Sequence, residues 1–197
     1  MILTRKQEEG LKIAIQRFKA GEKYTVISGY AGTGKSTLVR FIVEALGVDE
    51  EDICYATFTG KAAQVLLSKG NKNVSTLHKL LFKSRPKPDG TFIRVPVEFI
   101  PYDIIIVDEV SMAPKSLMKL LFSFPVHVIC LGDSFQLPPV SKDDDNHLLD
   151  NPHIFLDEIT RQAKESEIIR LSMDIREQKP ILYQRGKEVM VLNKNMN

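Results

Sequence analysis

Leu11, Ile15 and Phe18 fall on one face of a helical period that opens the chain. Thr4 is placed to cap that segment and Gly21 to close it, which predicts a helix running to about Lys19. Short, mostly apolar runs follow at 24–28, 53–56, 104–107 and 126–131. Such runs, bounded by turn residues, are what strands buried on both faces look like. Between them, helical spacing predicts helices over 36–46 and 61–68, a short helix capped by Thr76 and running through Phe82, and another over 116–122. Gly70 closes the second of these. A further amphipathic segment spans 165–177, with Ile168, Ile169, Leu171 and Ile175 as its buried positions. The region from Glu188 can supply one more strand, and 193–197 is a polar tail. Strands alternating with helices predict an α/β domain over 1–192 whose parallel sheet is covered by helices on both faces.

The stretch 83–101 breaks that rhythm. It is rich in proline, carries Asp89-Gly90 as a turn signal and alternates over 91–97, so it predicts a small hairpin or loop inserted between core elements.

Composition narrows the function classes without choosing among them. The shares of hydrophobic (43%) and charged (26%) residues are those of an ordinary globular protein. A net charge of only +2 offers no global basic field, so any nucleic-acid contact has to come from a local patch. Cys54 and Cys130 sit inside apolar runs and read as buried strand residues of a reducing cytoplasm, not as a disulfide or a metal site. The four histidines show no ligand spacing. No stretch is apolar enough for a membrane span and no signal-peptide pattern opens the chain, so the expectation is a cytoplasmic protein without a membrane partner.

The chemistry begins at Gly29-Tyr30-Ala31-Gly32-Thr33-Gly34-Lys35-Ser36, which fits G-x-x-x-x-G-K-[ST] and lies between a predicted strand and a predicted helix. Glycines let the backbone curl around phosphate oxygens with its N–H groups inward, and the helix start adds the positive end of its dipole. Gly29, Gly32, Thr33, Gly34, Lys35, Ser36 and the adjoining Thr37 are the candidate cradle for a nucleoside triphosphate, which the resemblance given below makes ATP. Lys35 is expected at the β- and γ-phosphates, and the Ser36 hydroxyl at Mg²⁺. The bland alternative is a glycine-rich turn with a chance lysine, against which all four fixed positions stand in context.

The run 104–107 ends in Asp108-Glu109, at the strand end where ligands bind in an open α/β sheet. Asp108 is the candidate second metal ligand, and Glu109 the candidate base that takes a proton from attacking water. Alone the pair reads equally well as a solvated acidic turn. The next run ends in Gly132-Asp133-Ser134-Phe135-Gln136-Leu137-Pro138-Pro139. Gln136 is a candidate γ-phosphate sensor or water-orienting group, while Asp133 reads equally as a turn cap or a ligand.

In this order these residues resemble superfamily 1B DNA helicases, the RecD-like (exodeoxyribonuclease V alpha subunit) and phage Dda-like branch. Further similar segments are Thr57-Phe58-Thr59-Gly60-Lys61-Ala62-Ala63, Ser75-Thr76-Leu77-His78-Lys79-Leu80 and Leu156-Asp157-Glu158-Ile159-Thr160-Arg161-Gln162. The resemblance covers roughly 4–177 and implies a RecA-like P-loop NTPase domain, the first motor domain of a helicase of 5′ to 3′ polarity. It makes Arg161 the arginine that stabilises transition-state charge, and Gln7 a contact of the adenine base. Thr4-x-x-Gln7 is equally a capping box. It assigns Thr57, Phe58, Thr59, Lys61, Thr76 and His78 to single-stranded DNA, where without it the threonines read as caps, His78 as a satisfied helix residue and Phe58 equally as core. It also makes 83–101, with Lys83, Arg85, Lys87 and Arg94, a strand-separating pin, the alternative being a plain connecting loop.

One departure stands out. Members of that family continue into a second RecA-like domain, and no such motifs follow Glu177. The expectation is therefore a truncated product or one half of a split motor, with the missing domain or other helicase and nuclease subunits as partners. Two rivals remain: a P-loop kinase or nucleotide switch, and a non-catalytic DNA- or partner-binding remnant of a helicase. Phosphoryl transfer to a small molecule marks the first, and absence of DNA-stimulated ATP turnover marks the second.

Overall fold

The computed structural model describes residues 2–136, 144–159, 166–181, 184–185 and 188–191. In chain order the strands are β1 (Tyr24–Gly29), β2 (Ile53–Thr57), β3 (Val74–Thr76), β4 (Phe82–Pro86), β5 (Phe92–Pro96), β6 (Ile104–Val107), β7 (His127–Gly132), β8 (Ile154–Leu156), β9 (Gln184–Arg185) and β10 (Met190–Val191). The helices are α1 (Arg5–Lys19), α2 (Lys35–Leu46), α3 (Gly60–Ser68), α4 (Leu77–Leu81), α5 (Lys115–Leu121) and α6 (Glu167–Arg176).

Six strands form one parallel sheet in the order β3-β2-β6-β7-β1-β8. Alternation along its inner strands accounts for the uninterrupted apolar runs. Val26, Ala56, Ile105, Val107 and Val128 face one side, against Leu77 and Leu81 of α4 and Met118 and Leu121 of α5. Ile27, Ile53, Ile104, Ile106 and Ile129 face the other, against Ala14 of α1 and Leu38, Val39 and Ile42 of α2. Both faces are therefore core, and each fully buried aliphatic side chain contributes about 1.5–3 kcal/mol of transfer free energy. This is the RecA-like P-loop fold. Cys54 and Cys130 are buried free thiols in it, and burial pushes the Cys54 thiol up to about 12.

Two short sheet strands have no counterpart in the sequence pattern. Polar β3 is only three residues long and takes its place from backbone pairing with β2. Asn73 pins it there, its side-chain amide donating to the carbonyls of Glu50, Glu51 and Ile53. β8 is also three residues, buried at Ile154 and Leu156 and exposed between. The insert is an antiparallel hairpin, β4 against β5, with Lys83 opposite Val95. Downstream of it, β10 pairs antiparallel with β9 in a separate two-stranded ribbon.

The buried line of α1 is Gln7, Gly10 and Ala14, with Leu11 and Phe18 only partly covered beside it. The larger correction concerns α6. None of its residues is buried, and Ile168 and Ile175 are 58% and 54% exposed. Its apolar stripe has the right period but rests only loosely on the described residues.

Candidate active site

The loop after β1 is shaped by where glycine is required. Gly32 and Gly34 hold φ of +76° and +79°, a left-handed backbone that a Cβ penalises. Gly29 is fixed for a different reason: a Cβ there would stand 2.5 Å from the Leu156 carbonyl oxygen. β8 thus sets the floor of the loop, and the Tyr30 N–H donates to that same Leu156 carbonyl at 3.2 Å. Thr33 is buried and its hydroxyl donates to the Tyr30 carbonyl at 2.8 Å, closing the loop on itself.

Lys35 opens α2 and folds back over this loop. Its Nζ donates to the carbonyls of Gly29 at 2.6 Å and Tyr30 at 3.0 Å. Burial holds its pKa below the ordinary lysine value, the charges of Asp133 and Asp108 oppose that shift, and Arg176 adds to it. The ammonium is thus a partly desolvated cation set among carbonyl oxygens, an arrangement that favours the arrival of an anion. Ser36 is exposed and Thr37 half-buried in the first turn of α2.

Because β6, β7 and β1 are neighbours in the sheet, their C-terminal ends come together beside the loop. Asp108 leaves β6 half-buried, its N–H tied to the Ala56 carbonyl and its Oδ1 accepting from the Glu109 N–H at 3.0 Å. Ser36 and Asp108 line one cavity of about 230 Å³ with Arg40 and Lys69. A hydroxyl and one carboxylate on a shared cavity suit Mg²⁺, which usually keeps waters and substrate phosphates as its other ligands. Among the described residues no cluster of three or more His, Cys, Asp or Glu forms a protein-only metal cage. Glu109 is half-buried with φ 54° and ψ 47°, left-handed for a non-glycine residue.

Asp133, at the end of β7, is 3% exposed. Its Oδ1 accepts from the Phe135 N–H at 3.0 Å, so the turn-cap reading holds, and its Oδ2 forms an ion pair of 2.7 Å with Arg176. Gln136 is exposed in the following turn, on the rim of a small cavity shared with Asp133 and Ser111. Arg161 lies outside the described residues.

Gln7 is buried and completes the capping box, its Oε1 accepting from the Thr4 N–H and its own N–H donating to the Thr4 hydroxyl. Its Nε2 donates to the Thr33 carbonyl at 3.0 Å and the Gly34 carbonyl at 3.4 Å. The adenine contact implied by the resemblance would require this amide to leave those partners.

The residues assigned to DNA gather near the C-terminal ends of β2 and β3. Thr59 caps α3 by accepting from the Ala62 N–H, and Thr76 caps α4 by accepting from the Lys79 N–H. Thr57 is fully buried and its hydroxyl donates to the Thr59 carbonyl, which leaves it no surface for a phosphate. Lys61 is exposed. Phe58, His78 and Phe82 form an aromatic row with ring centroids 5.8 Å and 6.3 Å apart.

Sequence reasoning missed Arg176. Its signal was a basic residue in the last turn of an amphipathic helix, where the helix dipole alone explains a cation.

The chain is similar in sequence and in fold to known proteins. The AAA domain family model matches residues 3–193. The chain is 39% identical over 159 residues to the ATP-dependent RecD2 DNA helicase of Deinococcus radiodurans, covering 77% of this chain and 21% of that protein. It is 33% identical over 154 residues to the ATP-dependent DNA helicase dda of Enterobacteria phage T4, covering 70% of this chain and 33% of that protein. The structure of Bacteroides Pif1 bound to single-stranded DNA superposes with a TM-score of 0.58 at 22% identity, covering 91% of this chain and 47% of that one. The chain thus spans about a fifth of the first and a third of the second of these curated relatives.

Proposed function

The chain belongs to the AAA domain family, and we propose that it is the ATP-binding first motor domain of a DNA helicase. The observation that carries this reading is that Lys35 of the glycine-rich loop lies within the electrostatic reach of Asp108 and Asp133, at the ends of the adjacent strands β6 and β7. The homologous RecD2 and dda proteins are ATP-dependent DNA helicases, which supports the same assignment here.

In this reading Gly29, Gly32, Thr33, Gly34, Lys35, Ser36 and Thr37 cradle the triphosphate through backbone N–H groups, hydroxyls and the Lys35 ammonium. Lys35 exchanges the Gly29 and Tyr30 carbonyls for phosphate oxygens. Ser36 and Asp108 hold Mg²⁺, which supplies charge neutralisation between the phosphates. Glu109 accepts the proton of the attacking water, Gln136 orients that water or reads the γ-phosphate, and Arg161 steadies the charge that develops. Gln7 holds the loop and borders the adenine site. Single-stranded DNA runs over Phe58, Thr59, Lys61, Thr76 and His78, with Thr57 supporting their turn from below. The hairpin β4–β5 is the strand-separating pin. A second motor domain completes the γ-phosphate site from the opposite side, so this domain by itself binds ATP and turns it over weakly.

No described helix is long and apolar enough to cross a membrane. The full protein is read as a cytoplasmic helicase of DNA repair and recombination, working 5′ to 3′.

The test is nucleotide binding by the chain and DNA-stimulated turnover by the full protein, each in wild type and Lys35→Ala. Wild-type ATP binding should exceed that of the variant at least tenfold, with adenosine affected much less, because only the phosphates lose a cation. Equal loss for ATP and adenosine rejects the role of Lys35. Absence of DNA-stimulated turnover in the full wild-type protein rejects the helicase reading.

A further inference from the structure

α6 is tied down at both ends: Glu167 exchanges hydrogen bonds with Glu188 and accepts from the Val189 N–H, and Arg176 reaches the end of β7. The Arg176 side chain is only 18% exposed, on a helix none of whose residues is fully buried. Its Nη2 donates to Asp133 Oδ2 at 2.7 Å. The guanidinium carbon lies 5.1 Å from the centroid of the Tyr30 ring and 5.4 Å from that of Phe135. Tyr30 belongs to the glycine-rich loop and Phe135 to the turn that carries Gln136, so a single side chain joins both to α6. The other end of the fork is uncommitted: Nη1 is buried with no hydrogen-bond partner among the described residues. A desolvated, unpaired donor on a permanent cation is a standing cost that an incoming anion can remove. Arg176 also lowers the Lys35 pKa, so the two cations bear on the same region.

We propose that Arg176 senses the triphosphate: its free Nη1 edge takes an oxygen of the γ-phosphate while Nη2 stays on Asp133, drawing α6 onto the nucleotide loop. This rests on the ATP reading above and adds to it a cation on α6. Arginine suits the task because its fork serves two anions at once, which a lysine ammonium does not do with fixed geometry. A diphosphate leaves Nη1 unpaired, so occupancy by ATP rather than ADP changes how firmly α6 is held.

The experiment is calorimetric binding of ADP and of a non-hydrolysable ATP analogue, each with Mg²⁺, to the 197-residue chain and to Arg176→Ala. The wild type should prefer the triphosphate, and the variant should lose about tenfold of that preference while ADP affinity stays within about twofold. Equal weakening of both nucleotides, or no change in either, overturns the proposal. If Arg176→Ala does not fold, Arg176→Lys keeps the charge and the stem. It too should lower the triphosphate preference, and an unchanged preference overturns the proposal. Failure of the wild-type chain to bind either nucleotide overturns the ATP reading itself, a result distinct from binding without discrimination at Arg176.

Discussion

The side-chain amide of Gln7 donates to the carbonyl of Thr33, joining the first turn of α1 to the glycine-rich loop 26 residues away. The same amide closes the capping box with Thr4. One residue therefore starts a helix and fixes the loop that helix packs beside.

Gln7→Ala should lose both functions. The broken capping box costs about 1 kcal/mol, which in a domain of this size lowers Tm by about 2–4 °C. The loosened loop should weaken ATP and GTP by the same factor, since in the proposed cradle Thr33 and Gly34 serve the phosphates and not the base. Thermal unfolding and binding of the two nucleotides check this. Loss confined to ATP would show that the amide turns from the loop to adenine.

Glu109, the proposed base, holds a left-handed backbone. A left-handed conformation costs a side-chain-bearing residue roughly 1–2 kcal/mol, and glycine adopts it freely. Glu109→Gly should therefore leave Tm unchanged or raise it, while ATP turnover by the full protein collapses. Glu109→Gln keeps shape and strain, loses the base, and should retain ATP binding with turnover down at least a hundredfold. Intact turnover in Glu109→Gln removes Glu109 as the base.

Much of the fold was legible because burial on both sides of a sheet writes itself as apolar runs: 104–107 coincides with β6, and 53–56 falls inside β2. β3 and β8 were not, because three-residue strands are set by pairing and by anchors such as Asn73, which carry no period. α6 misled in the opposite sense. Its period predicted burial at Ile168 and Ile175, but period reports a face and not what covers it. Around the site, the placement of the glycine-rich loop between β1 and α2, and of Asp108-Glu109 at the end of β6, was readable from the sequence. Arg176 was not, since its partners Asp133 and Tyr30 are distant in sequence.

His153 gives the domain a dependence on pH. Its Nδ1 accepts from the Val26 N–H at 2.9 Å, a bond only the ring without a proton on that nitrogen can accept. Burial, and then the charge of Arg17, hold its pKa below the ordinary 6.5. Burial lowers that of His127 as well. A depressed histidine pKa means the unfolded chain takes up protons first, so stability is full above about pH 6.5 and falls as pH drops through that value toward the folded pKa. Tm should therefore decline between pH 7.5 and pH 5. His153→Asn offers an amide oxygen to Val26 without titrating there, and should flatten the decline. An unchanged slope in that variant removes His153 as a source.

For the proposed DNA face, charge and stacking can be told apart. Lys61 stands exposed at the start of α3, and Phe58, His78 and Phe82 line up as a row of rings. The hydroxyls of Thr59 and Thr76 already accept from helix N–H groups and that of Thr57 is internal, so the threonines add little charge-dependent affinity. A lysine on a phosphate releases a counterion, so log affinity for single-stranded DNA should fall linearly with log salt. Lys61→Ala should make that slope shallower by about 0.7. Phe58→Ala should instead cost about 1–3 kcal/mol at every salt concentration and leave the slope alone, because stacking on a ring displaces no counterion. A salt titration of the full protein on an unstructured single strand reads both. If Lys61→Ala leaves the slope where it was, the lysine is not on the backbone. If Phe58→Ala binds as tightly as wild type, the ring is packing for the core and not a platform for a base.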